Sequence, residues 1–190
     1  MASKDRLRSL LGVVIPLAIL VCTLAKAESK SVFSPYVDAK GNISLPPDFR
    51  RNMVHLGSFY VPEGGASGMH DTYAEVALVD EFRRTGKFPD GGAIVKELRE
   101  ASSGQFTTGK GVTYANNIVK QWFVMVKDAK NRFPNNPSWG EGWGWALIKT
   151  DDSTRNVSID YQKDCIACHT PVKDKDWIYS DYYPTLSKKP

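Results

Sequence analysis

Two cysteines and a histidine sit within five residues near the C-terminus, as Cys165-Ile166-Ala167-Cys168-His169. A Cys-x-x-Cys-His run is an attachment signature for c-type haem. Two thiols at this spacing reach the two vinyl groups of one porphyrin and form thioethers, and the imidazole that follows lies where it can ligate the iron. Cys165 and Cys168 are therefore the expected anchors, His169 the expected iron ligand, and one haem c per chain the expected cofactor. Two other chemistries use Cys-x-x-Cys. A dithiol oxidoreductase places it at the start of a helix in a βαβ setting, whereas here it follows every strand-like run. A zinc site could be assembled from Cys165, Cys168, His55 and His70. The spacing favours haem over both.

The other face of the iron has five candidate ligands: His55, His70, Met53, Met69 and Met125. Met53 and Met125 stand in or beside apolar runs, where methionine is usually core filler. His70 falls in a Gly-rich stretch read as a loop, and His55 in a strand beside Val54 and Leu56. None belongs to an axial-ligand motif, so an open sixth position is expected, and with it small-molecule binding or chemistry on iron. Lys96 is the remaining residue of interest. In Ala93–Arg99, strand alternation puts Ile94, Lys96 and Leu98 on one face, with Val95, Glu97 and Arg99 on the more polar other. A lysine on an apolar face is either a snorkelling strand-end side chain or a buried amine of lowered pKa and raised nucleophilicity.

These residues need a frame. Runs rich in β-branched and aromatic residues predict strands at Val54–Val61, Thr72–Val79, Ala93–Arg99, Gln121–Val126 and Trp143–Ile148. A short helix is predicted over Asp80–Thr85, closed by Gly86 and the Pro89-Asp90-Gly91 turn. Gly104–Gly111 and Asn131–Gly140 read as loops, and Tyr161–His169 as a helical segment. The fold class is mainly β (α+β): an antiparallel sheet of about five strands with short helices and a C-terminal haem-attachment segment.

The N-terminus explains the composition. Of 190 residues, 42% are hydrophobic and 24% charged, which excludes disordered and fibrous classes. Lys4, Arg6 and Arg8 precede the apolar run Leu10–Val21, and Ala25-Lys26-Ala27 offers a small-x-small cleavage site. Residues 1–27 are expected to be a removable export signal, leaving a single haem domain over 28–190 in the periplasm. Its loss removes Lys4, Arg6, Arg8 and Lys26 against Asp5, lowering the net charge from +4 to +1. Cys22 leaves with it. No basic cluster remains to bind nucleic acid, and no membrane span is expected after cleavage.

Several short motifs carry a resemblance over most of the remaining chain. They are Leu45-Pro46-x-x-Phe49-Arg50, Thr85-Gly86-x-Phe88-Pro89-Asp90-Gly91, Val95-Lys96-Glu97-Leu98, Lys127-Asp128, Trp139, the haem motif, and Tyr182-Tyr183-Pro184-x-Leu186. In these the sequence resembles the cytochrome P-460 family, which also includes the β-rich cytochromes c′-beta. The resemblance implies an antiparallel sheet around one haem, with His169 as proximal ligand and the opposite face open. It implies that Lys96 occupies the place of a lysine that bonds covalently to the porphyrin. It further implies oxidation of hydroxylamine, and of nitric oxide as a further substrate, with electrons passed to a soluble acceptor cytochrome. The c′-beta members bind nitric oxide without turnover, and the family tends to homodimers. One departure stands out. The oxidases carry a carboxylate just after the haem motif, whereas here Thr170-Pro171-Val172-Lys173 holds none, leaving Asp174 or Asp176 as the nearest acids.

Overall fold

The computed structural model describes residues 33–187, so residues 1–27, expected as an export signal, and Cys22 among them lie outside the described residues. The framework is a seven-stranded antiparallel sheet. Its strands are β1 (Val54–Val61), β2 (Gly68–Ala74), β3 (Ala93–Phe106), β4 (Gly109–Lys127), β5 (Trp139–Gly140), β6 (Trp143–Lys149) and β7 (Asp152–Asn156). The order is β1-β2-β3-β4-β6-β5, with β7 also pairing β6. Four short helices accompany it: α1 (Phe49–Asn52), α2 (Val76–Thr85), α3 (Tyr161–Asp164) and α4 (Ile166–His169). Three 3-10 segments follow within Thr170–Leu186. Among the described residues no helix is long and apolar enough to cross a membrane.

The sheet centre is buried on both faces, which is why Ala93-Ile94-Val95 and Val124-Met125-Val126 read as unbroken apolar runs. Alternation divides them. Ile94 and Met125 join Trp143, Trp145 and Leu78 on the face covered by α2 and the C-terminal segment. Val95, Val124 and Ala146 pack on the other face against Ile43, Phe49 and Trp139. That second face is less polar than expected. Glu97 is fully buried in it, and the carboxylate accepts from Arg50, at Nε (3.0 Å) and Nη2, and from Trp122 Nε1 (2.8 Å).

Several boundaries differ from expectation for identifiable reasons. The run Val76–Val79 is apolar at both strand and helix spacing. The chain leaves β2 at Ala74 and α2 takes Val76, burying Leu78 and Val79 and exposing Val76. Gly86 ends α2 in the left-handed region (φ 78°), its N–H donating to Phe82 at 2.7 Å. The predicted loop Gly104–Gly111 belongs mostly to strands, since β3 and β4 continue as a hairpin turning at Thr107-Thr108. This arm extends past the packed core, so it lacks the apolar alternation that marks a half-buried strand. β7, Asp-Ser-Thr-Arg-Asn, is equally polar and equally silent in sequence. The segment expected as one helix over Tyr161–His169 breaks at Cys165, whose φ of −125° separates α3 from α4.

Candidate functional site

A cavity opens between one face of the sheet and the C-terminal segment, with about 840 Å³ free of atoms and part of that open to solvent. The sheet contributes Thr72, Ile94, Lys96, Phe123, Met125 and Trp145. Thr72, Lys96 and Phe123 are successive cross-strand partners on β2, β3 and β4, and so project side by side. The facing wall holds Cys165, Cys168, His169, Ile178, Tyr179 and Tyr183. The cavity thus brings together all four residues singled out from sequence, from segments about seventy positions apart. Another groove, walled by Leu45–Arg51 with Ser153 and Thr154, contains none of them.

His169 is held in a defined tautomer. Its Nδ1 lies 2.7 Å from the Trp177 carbonyl oxygen, and a carbonyl only accepts, so Nδ1 carries the hydrogen and Nε2 presents its lone pair. Asp176 (φ 55°) and Trp177 (φ 64°) both sit in the left-handed region, an unfavourable backbone for a bulky residue, and this turn delivers the carbonyl. Trp145 meets the imidazole edge-on with centroids 5.0 Å apart. Burial pushes the histidine down to about 4, the Trp177 bond opposing that shift and the Lys96 charge adding to it. The ring is therefore neutral and a competent ligand at physiological pH.

Lys96 is not a snorkelling side chain. Its Nζ lies over the Phe123 ring, 4.3 Å from the centroid. Burial pushes its pKa below the usual lysine value, and among the described residues the thiols of Cys168 and Cys165 oppose the shift. Those thiols lose their ionisable proton once alkylated, which leaves desolvation unopposed. Burial also pushes the Cys165 thiol up to about 11. A redox dithiol needs the reverse, a thiol acidified by its surroundings, so the raised Cys165 thiol weighs against the oxidoreductase alternative. The zinc alternative fails on placement. His55 bonds to Ser58 and does not line the cavity, and among the described residues no cluster of three or more His, Cys, Asp or Glu side chains could hold a metal ion.

Of the five candidate sixth ligands, Met53 packs on the opposite face of the sheet, and His55 and Met69 are not in the wall. Met125 and His70 are. His70 corrects the loop reading, because it lies within β2 and is 3% exposed. Neither acid proposed to replace the missing carboxylate reaches the cavity: Asp176 bonds Lys127 at 2.7 Å and Asp174 does not line the wall. Asp164 stands exposed at the rim, its carboxylate lowered by the Ser158 hydroxyl it accepts from. Among the aromatic residues Phe82, Phe88, Trp122, Trp139, Trp143 and Trp145, which as a group are candidates to line a haem pocket, only Trp145 lies in the wall. Phe59, Phe123, Tyr179 and Tyr183 were missed, because the β3–β4 register that sets Phe123 beside Lys96 is not fixed by alternation within either strand.

A family model described as Cytochrome P460 matches residues 46–180. The chain belongs to the cytochrome P460 family. No individually curated protein matches it. Family membership implies a haem, and the donor set of this member of the cytochrome P460 family suits one. Two thiols and a neutral imidazole with a bare Nε2 line a single cavity whose walls are otherwise largely apolar and aromatic.

Proposed function

We propose that this protein is an exported mono-haem c-type cytochrome that oxidises hydroxylamine, and nitric oxide as a further substrate, at an open iron site. Electrons pass to an external acceptor cytochrome. Cys165 and Cys168 would hold the haem through thioethers, His169 would ligate through Nε2, and Lys96 would supply the amine for a further N–C bond to the porphyrin. That bond would form at the expense of one amine N–H and one porphyrin C–H, with the two electrons taken by an external oxidant of the peroxide class. The haem would supply the iron that binds the nitrogen compound and accepts its electrons. The protein's own part is to fix ligand, anchors and amine and to exclude water. Trp177 carbonyl orients His169 and strengthens its basicity, the role that outer-shell partners play for metal-bound histidines. Trp145, Phe123 and Ile178 keep the surroundings apolar.

The observation that carries this reading is His169, tautomer-locked and half-buried in the same cavity as both thiols and a desolvated lysine. Sixth-ligand candidates do not compete well. Met125 sits in the core beside Ile94 and Trp145. His70 commits Nε2 to Ala66, leaving only the nitrogen flanked by its own Cβ. A second reading, capture of nitric oxide without turnover, is favoured by the acid-poor interior, since hydroxylamine must lose protons as it is oxidised. The test is intact mass and optical spectrum of the exported protein, followed by hydroxylamine with a soluble electron acceptor. A high-spin haem, loss of hydrogens at Lys96 and acceptor reduction are expected. A haem without the Lys96 modification that binds nitric oxide and reduces no acceptor selects the second reading. A low-spin, six-coordinate resting spectrum refutes both.

A further inference from the structure

His70 is a buried base that neither the anchors nor Lys96 account for. It forms part of the cavity wall, and its ring stacks on Phe59 with centroids 4.6 Å apart and planes inclined by 17°. Nε2 lies 2.7 Å from the Ala66 carbonyl oxygen. That oxygen only accepts, so Nε2 carries the hydrogen, and Nδ1 of the neutral ring is a bare acceptor. Burial lowers the ring's pKa, and the Lys96 and Lys120 charges lower it further against the Ala66 bond and the Asp71 charge. The neutral form is the one held at pH 7.

Nδ1 is buried and has no hydrogen-bond partner among the described residues. Two other buried side-chain atoms share that condition, Ser34 Oγ and Arg99 Nε, and neither residue lines the cavity. A buried polar atom without a partner costs about 1–3 kcal/mol, and a guest able to donate a hydrogen relieves it. A guest without hydrogen, such as nitric oxide or carbon monoxide, does not.

We infer that His70 Nδ1 is the cavity's hydrogen-bond acceptor for a small protic guest, taking an N–H or O–H from hydroxylamine or a molecule of that class. The inference rests on the proposed function and deepens it, because it gives the acid-poor cavity a base and a means of preferring protic over aprotic guests. Through Nε2 the same ring also touches the exposed Ala66 loop, joining the cavity to its solvent edge.

The test compares haem-loaded wild type with His70→Leu and His70→Asn. Hydroxylamine binding is followed by optical titration without an electron acceptor, and carbon monoxide and nitric oxide binding on the reduced protein. His70→Leu is expected to weaken hydroxylamine binding about tenfold, the value of one net hydrogen bond, and to leave both diatomics within about threefold. His70→Asn, whose amide oxygen reaches the place of Nδ1, is expected to restore most of the loss. Unchanged hydroxylamine affinity in His70→Leu, with nitric oxide still bound, overturns the inference and leaves the proposed function standing. Parallel loss of hydroxylamine and carbon monoxide overturns it in favour of a packing role. A wild type that binds none of the three molecules overturns both.

Discussion

Arg50→Met is expected to destabilise the protein substantially although half of the Arg50 side chain is exposed. Its partner, the Glu97 side chain, is fully buried next to Lys96 in β3. The carboxylate accepts from Arg50 at Nε (3.0 Å) and Nη2, and from Trp122 Nε1 at 2.8 Å; Arg99 Nε stands further off at 3.9 Å. Removing one partner of a buried pair costs about 3–5 kcal/mol, mostly the penalty for the charge left behind. The Trp122 bond and the nearby Arg99 survive, which places the expected loss near the lower end, about 3 kcal/mol. For a chain of this size that is a fall in melting temperature of roughly 6–12 °C. Urea unfolding of the haem-loaded protein measures it. The penalty interpretation makes a second demand: Arg50→Met combined with Glu97→Gln, which removes the charge and keeps an acceptor for Trp122, must recover about 1–2 kcal/mol of the loss. A loss below about 1 kcal/mol for Arg50→Met, or a double variant no more stable than the single one, refutes the reasoning.

Three further outcomes are expected. In a Cys165→Ala/Cys168→Ala chain, which attaches no haem, the lowered Lys96 pKa means the folded state binds fewer protons than the unfolded state between the lowered folded value and about pH 10.5. Stability should therefore rise as pH climbs toward that value, and Lys96→Met should flatten the rise; equal slopes in urea midpoints from neutral to alkaline pH would contradict this. The Arg132 guanidinium holds the Asp90 carboxyl below the usual range, so this pair's stabilisation is present above about pH 4 and is lost as pH falls through the folded value. Asp90→Asn should cost about 1 kcal/mol at pH 7 and nothing at strongly acidic pH, as acid titration of the melting temperature will show. Gly68→Ala places a Cβ 2.2 Å from the Arg99 carbonyl oxygen at φ 131°, two residues from His70. A loss of at least about 1–3 kcal/mol is expected, and a melting temperature equal to wild type rules that clash out.

Legibility of the fold tracked apolar pattern. The bounds of β1 follow from its β-branched and aromatic content, although Leu56 is its one buried residue, whereas the starts of β3 and β6 are legible because their central residues are committed to the core. The hairpin arm beyond Arg99 and the polar strand β7 left no such trace, and their pairing is held by backbone bonds rather than by buried side chains. In the site, the Cys-x-x-Cys-His run and the odd position of Lys96 were readable since each depends on local spacing. His70 was misread as a loop residue because the Gly-rich stretch before it looks like a turn, while β2 begins within that stretch, at Gly68.

The sequence by itself determined the local chemistry: which thiols and imidazole share one motif, which lysine lies on an apolar strand face, and which family the motifs resemble. These follow from covalent spacing and from strand periodicity, which any short window contains. Only the tertiary structure decided that Lys96 and the motif face one cavity and that Nε2 of His169 is left bare. It also decided that Asp174 and Asp176 stay outside the cavity and that a histidine with an unpartnered ring nitrogen, His70, forms part of its wall. Each of these depends on the pairing of β2, β3 and β4 and on the left-handed turn at Asp176-Trp177. Such long-range register, like the desolvation that comes with it, is a property of packed surfaces and is not written in any stretch of chain.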